Sequence, residues 1–119
     1  MAPARAACPC ERDGARISEA YGAFLADESR LAAAVPAALY LPRSTDEASA
    51  AIAECAQRGV PVVVSGGRTG IVGGAIAQEG AALLSLNELV AEPVVRWREQ
   101  RQAWTVKVAA GTRLEELQE

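Results

Sequence analysis

Residues 38 to 74 narrow most what this chain can fold into: an apolar run, a capped helix, a run of valines and then five glycines. "ALYLP", residues 38 to 42, is short, apolar and closed by a proline, which suits a strand. Ser44 and Glu47 then make an S-x-x-E capping box, Ala48, Ile52, Cys55 and Ala56 fall along one stripe, and Gly59 followed by Pro61 closes the element. "VPVVV", residues 60 to 64, comes at once, and its unbroken valines predict a strand covered on both faces. Strand, helix and strand with short links predict a right-handed βαβ unit and parallel sheet over residues 38 to 64. The glycine loop then hangs from a strand's carboxyl end, where open α/β sheets place ligands.

The flanks are less regular. Residues 1 to 16 lack a hydrophobic period and hold Pro3, Pro9 and Gly14, which predicts a loose arm. "SEAYGAFLADESRLAAAV" places Tyr21, Phe24, Leu25 and Leu31 near helical spacing and predicts one or two short helices. After the loop, "AALLSL" (81 to 86) predicts a buried strand and "NELV" a turn of helix. "VVRW" and "AWTVKVAA" around "REQRQ" predict a hairpin that begins a second sheet. Thr112 and Glu115 repeat the capping box, so "TRLEELQE" announces an amphipathic helix with Leu114 and Leu117 on one side. That helix has nothing after it to pack on, and the organisation reads as the front of something longer.

Composition limits the function classes. The 119 residues fit one small domain, and with aromatics at 4% each core contact must be small. A net charge of -3 with interspersed signs leaves no broad basic face for nucleic acid or anionic lipid. No apolar run approaches the roughly 20 residues that span a bilayer, and the start lacks the apolar core of a secretion signal. The expected location is cytoplasmic or membrane-peripheral. Cys8, Cys10 and Cys55 have neither redox-pair nor zinc spacing and read as reduced thiols. The chain contains 0 histidines, which removes Ser-His and Cys-His nucleophiles, histidine metal sites and a histidine-tethered cofactor from it.

Five glycines directly after a buried strand serve either a turn that needs φ > 0 or a ligand that must approach the backbone closely. No lysine follows any of them, so the Walker clamp is absent; Ser65 stands where the dinucleotide fingerprint needs its first glycine. No long helix begins after the loop to supply a dipole. What remains is a nest of backbone N-H groups with the hydroxyls of Ser65 and Thr69 around a phosphate or pyrophosphate. Arg68 reads either as a further phosphate contact or as a solvated charge.

"LYLPRSTDEASAAIAECAQRGVPVVVSGGRTGIVGGA", residues 39 to 75, resembles the start of the FAD-binding domain of the vanillyl-alcohol oxidase / p-cresol methylhydroxylase superfamily. In particular it is similar to the FAD-linked oxidase branch that contains D-lactate dehydrogenases and the glycolate oxidase catalytic subunit. The likeness continues through "ALLSLNELV" to "VKVAAGTRLEELQE". It implies an α+β fold: a βαβ first subdomain over residues 36–90, after an arm and short helices at 1–35, and the start of a second, antiparallel subdomain at 91–119.

The resemblance further implies noncovalent FAD, with the loop wrapping its pyrophosphate through backbone amides. Ser65, Gly66, Gly67, Arg68, Thr69 and Gly70 would be the phosphate contacts, Gly73 and Gly74 would shape the approach to the flavin, and Gly111 would lie near the cofactor. No residue matches a catalytic base or a metal ligand of the family. The implied function is the FAD-binding segment of a flavin-dependent oxidoreductase that, when complete, acts on a 2-hydroxy acid such as D-lactate or glycolate. Its implied partner is the rest of an oxidase chain or a complementing subunit. A stand-alone anion- or nucleotide-binding module and a non-functional relic stay open beside it.

Overall fold

A computed structural model describes residues 7–31, 33–69 and 73–118. Its main sheet has four strands, β1 (Cys10–Glu11), β2 (Ala38–Tyr40), β3 (Val62–Ser65) and β4 (Ala82–Ser85), in the order β1-β2-β4-β3. β2 and β3 both run parallel to β4, which lies between them, while β1 pairs antiparallel with β2. The expected parallel strand-helix-strand arrangement is present, with β4 inserted at its centre. That insertion corrects one expectation. β3 becomes an edge strand, and Val64 is 50% exposed rather than covered on both faces. The continuously buried strands are β2 and β4.

Helix α2 (Thr45–Arg58) forms as its end signals require. The Ser44 hydroxyl accepts the Glu47 N-H at 3.2 Å. At the other end Gly59 takes φ 66°, and Gly59 and Val60 donate back to Ala56 and Cys55 in a Schellman closure. The buried stripe is Glu47, Ala51 and Cys55, while Ile52 faces solvent, so the helix is turned by about one residue from the stripe read in the sequence. The cause lies at its start. The Glu47 carboxylate turns back to the Arg43 N-H (2.7 Å) and guanidinium (2.8 Å), and residues one and two turns further on share its inward side.

Side chains alternate across the sheet, giving two thin cores. Tyr40, Ala82 and Leu84 pack with Ala51 and Cys55 under α2. Leu39 and Leu83 pack on the opposite face with Ile17, Ala77 and Phe24, contributed by α1 (Gly14–Ala20), the 3-10 turn Gly22–Leu25 and the return toward β4. The described part of the amino-terminal arm, from residue 7 on, is more ordered than its composition suggests, and residues 1–6 lie outside the described residues. Cys10 pairs with Tyr40, Leu41 donates to the Pro9 carbonyl at 2.9 Å, and Asp13 caps α1. The open edge of β2 supplies the hydrogen bonds that make this stretch a strand.

β5 (Val94–Arg98) and β6 (Ala103–Lys107) form a separate antiparallel hairpin, with Trp97 opposite Trp104 and their rings 5.5 Å apart. "NELV" forms a turn at Asn87–Glu88 and no helix. Helix α3 is only Leu114–Leu117, and Arg113, not Thr112, stands at its start without a side-chain cap. The second capping box therefore does not form among the described residues. Thr112 instead donates its N-H to Ala109 in a turn.

Candidate functional site

β3 and β4 end in register, Ser65 opposite Ser85, and their following loops enter one cleft. Gly66, Gly67 and Thr69 line it from the first loop, Asn87 from the second, and residues 110 to 115 close it from the far side. Its volume is about 680 Å³, within the roughly 300–1,000 Å³ of small-molecule and cofactor sites. A second hollow, about 630 Å³, lies against Trp97, Arg98 and Lys107 on the hairpin. It is a groove between long surface side chains and offers no glycine backbone.

The loop presents backbone. None of the amides of Gly66, Gly67, Arg68 and Thr69 donates to an acceptor among the described residues. A Cβ built on Gly66 or Gly67 meets no protein atom within 4 Å, and neither glycine has positive φ. Neither packing against the described residues nor backbone conformation therefore requires glycine at these two positions. The left-handed residue of the loop is Arg68, at φ 60°. Successive amides around a left-handed residue make an anion-binding concavity.

The remaining expected residues divide between cleft and scaffold. Gly111 lines the cleft, but its glycine identity has a packing cause: a Cβ there would collide with the Leu86 carbonyl and stand 2.7 Å from that of Leu89. Its N-H is already given to Leu89 at 2.8 Å. Gly73 has φ 78°, and a Cβ on it would sit 2.6 Å from Leu31, so it belongs to a turn packed on the amino-terminal segment. Gly74 is exposed, and neither it nor Gly73 lines the cleft. Gly70 lies outside the described residues. Ser65 is fully buried beneath the loop, with its Oγ unpartnered among the described residues and its carbonyl accepting from Leu86 at 2.8 Å.

Arg68 does not line the cleft. Its guanidinium lies 4.7 Å over the centre of the Phe24 ring. The Asn87 side-chain amide sits 3.1 Å from both the Gly66 carbonyl and Arg68 Nη1, and with its nitrogen toward Gly66 and its oxygen toward Arg68 it bonds both. Neither Phe24 nor Asn87 stood out in the sequence. Phe24 read as one apolar position of a short helix, and a single asparagine after a strand carries no spacing signal.

Away from the cleft, Cys8, Cys10 and Cys55 are free thiols around Tyr40. Burial pushes the Cys8 thiol up to about 11, and the Tyr40 hydroxyl up to about 12. No cluster of three metal-ligating side chains occurs among the described residues, and no described helix is long and apolar enough to cross a membrane.

The model of a family described as "FAD binding domain" matches residues 36–119. The chain belongs to this family of FAD-linked oxidases. FAD is accordingly the ligand of the domain. The open amides of Gly66 to Thr69 and the empty space over the two glycines fit a pyrophosphate.

Two relatives narrow the kinship. Over 54 residues, 45% of this chain, it is 46% identical to a protein of Xanthomonas citri pv. viticola named D-2-hydroxyglutarate dehydrogenase. Over 82 residues, 69% of this chain, it is 32% identical to a protein of Anaerostipes hadrus named D-lactate dehydrogenase. The matched stretches span 11% and 16% of those two proteins. Both names describe dehydrogenases of 2-hydroxy acids.

Proposed function

We propose that this chain is the pyrophosphate-binding segment of a flavin-dependent dehydrogenase of 2-hydroxy acids, holding FAD noncovalently. The observation that carries the reading is the run of amides at Gly66, Gly67, Arg68 and Thr69 without an acceptor among the described residues, at the carboxyl end of β3, where Gly66, Gly67 and Thr69 line a cleft of about 680 Å³. In a site shielded from water, such donors hold a doubly charged pyrophosphate without a lysine.

The residues divide the work. Gly66 and Gly67 leave room for phosphate oxygens, and the Thr69 side chain sits at the cleft to add a hydroxyl donor. Ser65 supports the loop from below, and Gly111 lets the 110–115 segment close on the Leu86–Leu89 backbone. Gly70 joins the phosphate contacts, and Gly73 and Gly74 set the course of the chain toward the flavin. The chemistry FAD supplies when bound is hydride acceptance from the C-H of the substrate alcohol. Substrate contacts and proton removal belong to the complementing part of the enzyme. The names of both relatives support D-lactate, D-2-hydroxyglutarate and similar 2-hydroxy acids as substrates.

The test is to purify the complete protein that carries this segment and offer D-lactate, D-2-hydroxyglutarate and glycolate in turn without oxygen. Bleaching of the flavin band by at least one of them is expected. A flavin-loaded protein that none of the three reduces would overturn the substrate class, and a protein without flavin would overturn the cofactor role.

A further inference from the structure

We infer that Arg68, Phe24 and Asn87 form a positioning unit for the glycine loop, so that Arg68 acts on the loop and not on the phosphate. The inference rests on the pyrophosphate reading above and adds to it the means by which the amides are aimed.

A trans peptide is planar, so the C=O of one residue and the N-H of the next point in opposite directions. The Gly66 carbonyl is held by the Asn87 amide at 3.1 Å, which turns the Gly67 N-H the other way. The Arg68 carbonyl accepts the Glu28 N-H at 3.2 Å, which does the same for the Thr69 N-H. Two tethered carbonyls thus fix the directions of two amides that have no acceptor among the described residues.

Arg68 ties these tethers together. A non-glycine residue at φ 60° is strained by roughly 1 kcal/mol, so its surroundings must hold it there. Phe24 offers a ring face 4.7 Å from the guanidinium, and Asn87 accepts from Nη1 at 3.1 Å. Asn87 is itself fixed to the end of β4, its N-H donating to Ser85 Oγ at 3.4 Å. Gly67 and Thr69, on either side of Arg68, line the cleft, whereas Arg68 does not. The same contacts make the segment before residue 36, outside the stretch matched by the family, a structural part of the binding loop.

The experiment uses the full chain and variants Asn87→Ala, Arg68→Lys, Phe24→Leu and Phe24→Tyr, with Gly67→Val as control. Without FAD, trypsin should cut the Arg68–Thr69 bond about fivefold faster or more in Asn87→Ala and Phe24→Leu, because both release the side chain that the protease must capture. FAD affinity should drop about tenfold in Asn87→Ala, Arg68→Lys and Phe24→Leu, with its dependence on salt unchanged. Phe24→Tyr, which keeps an aromatic face, should restore protection and affinity where leucine does not. Unchanged trypsin cleavage in Asn87→Ala overturns the inference. So does an Arg68→Lys protein that binds FAD like the parent, since a positive charge alone would then suffice, as it does at a direct phosphate contact. If Gly67→Val weakens FAD while Asn87→Ala does not, the positioning unit alone fails. If Gly67→Val binds as the parent does, the pyrophosphate reading fails and the inference with it.

Discussion

Ser65 and Ser85 stand opposite each other at the carboxyl ends of two parallel strands, both fully buried, and only Ser85 has its hydroxyl used. The Ser85 Oγ accepts from Asn87, whereas the Ser65 Oγ finds no partner among the described residues. Removing an unpaired buried hydroxyl relieves a desolvation cost. Ser65→Ala should therefore leave unfolding free energy within about 1 kcal/mol of the parent or raise it, as urea denaturation would show. A loss well beyond that would mean the hydroxyl is bonded in solution.

Gly111→Ala should behave differently. Its methyl would enter the space of the Leu86 and Leu89 carbonyls, which are backbone and cannot swing away. Overpacking of this kind costs about 1–3 kcal/mol, so the urea midpoint should fall clearly. An unshifted midpoint would show that residues 110 to 115 do not rest on the Leu86–Leu89 turn.

Acid should weaken the start of α2. The hydrogen bonds from Arg43 hold the Glu47 carboxyl below its ordinary range. A depressed folded-state value means the carboxylate adds stability above the unfolded value of about 4.3, and the gain is lost as pH falls through the lower folded value. The stability gap between the parent and Glu47→Gln, measured from neutral pH downward, should stay level to about pH 4.3 and then close. A gap that is the same at pH 7 and in acid would contradict the assignment.

Cys8 should be a slow thiol. With burial pushing its pKa to about 11, its thiolate at pH 8 is scarcer than that of an unperturbed thiol near 8.5 by roughly a hundredfold. Mass-resolved alkylation with iodoacetamide at pH 8 should label Cys8 far more slowly than a cysteine-containing peptide. Equal rates would show the amino-terminal strand to be open in solution.

How much of this was legible beforehand depended on whether a signal was local. The α2 caps, the β4 run and the Trp97–Trp104 hairpin follow from spacings of a few residues, and each formed where its residues indicated. Strand order is not local. Nothing in "VPVVV" says that β4 will lie between β2 and β3 and leave Val64 at an edge. The order of Cys10–Glu11 likewise comes from a partner strand 30 residues away in the chain. The glycines were visible as composition, but only the fold separates Gly67, where a Cβ meets open space, from Gly111 and Gly73, where it would meet Leu89 and Leu31. The roles of Phe24 and Asn87 depend on contacts across the sheet and had no pattern to reveal them.

The central claim, that the bare backbone of the loop receives the FAD pyrophosphate, is tested most directly at Gly67. A side chain there meets no protein atom within 4 Å, and the backbone has no positive φ to strain. Gly67→Val should thus melt within a few degrees of the parent, at a stability cost of about 0.5 kcal/mol or less. Titration calorimetry with FAD on the same two proteins should show affinity falling at least about a hundredfold, since two methyls would occupy the space of the phosphate oxygens. An equally stable Gly67→Val protein that binds FAD as tightly as the parent would contradict the account.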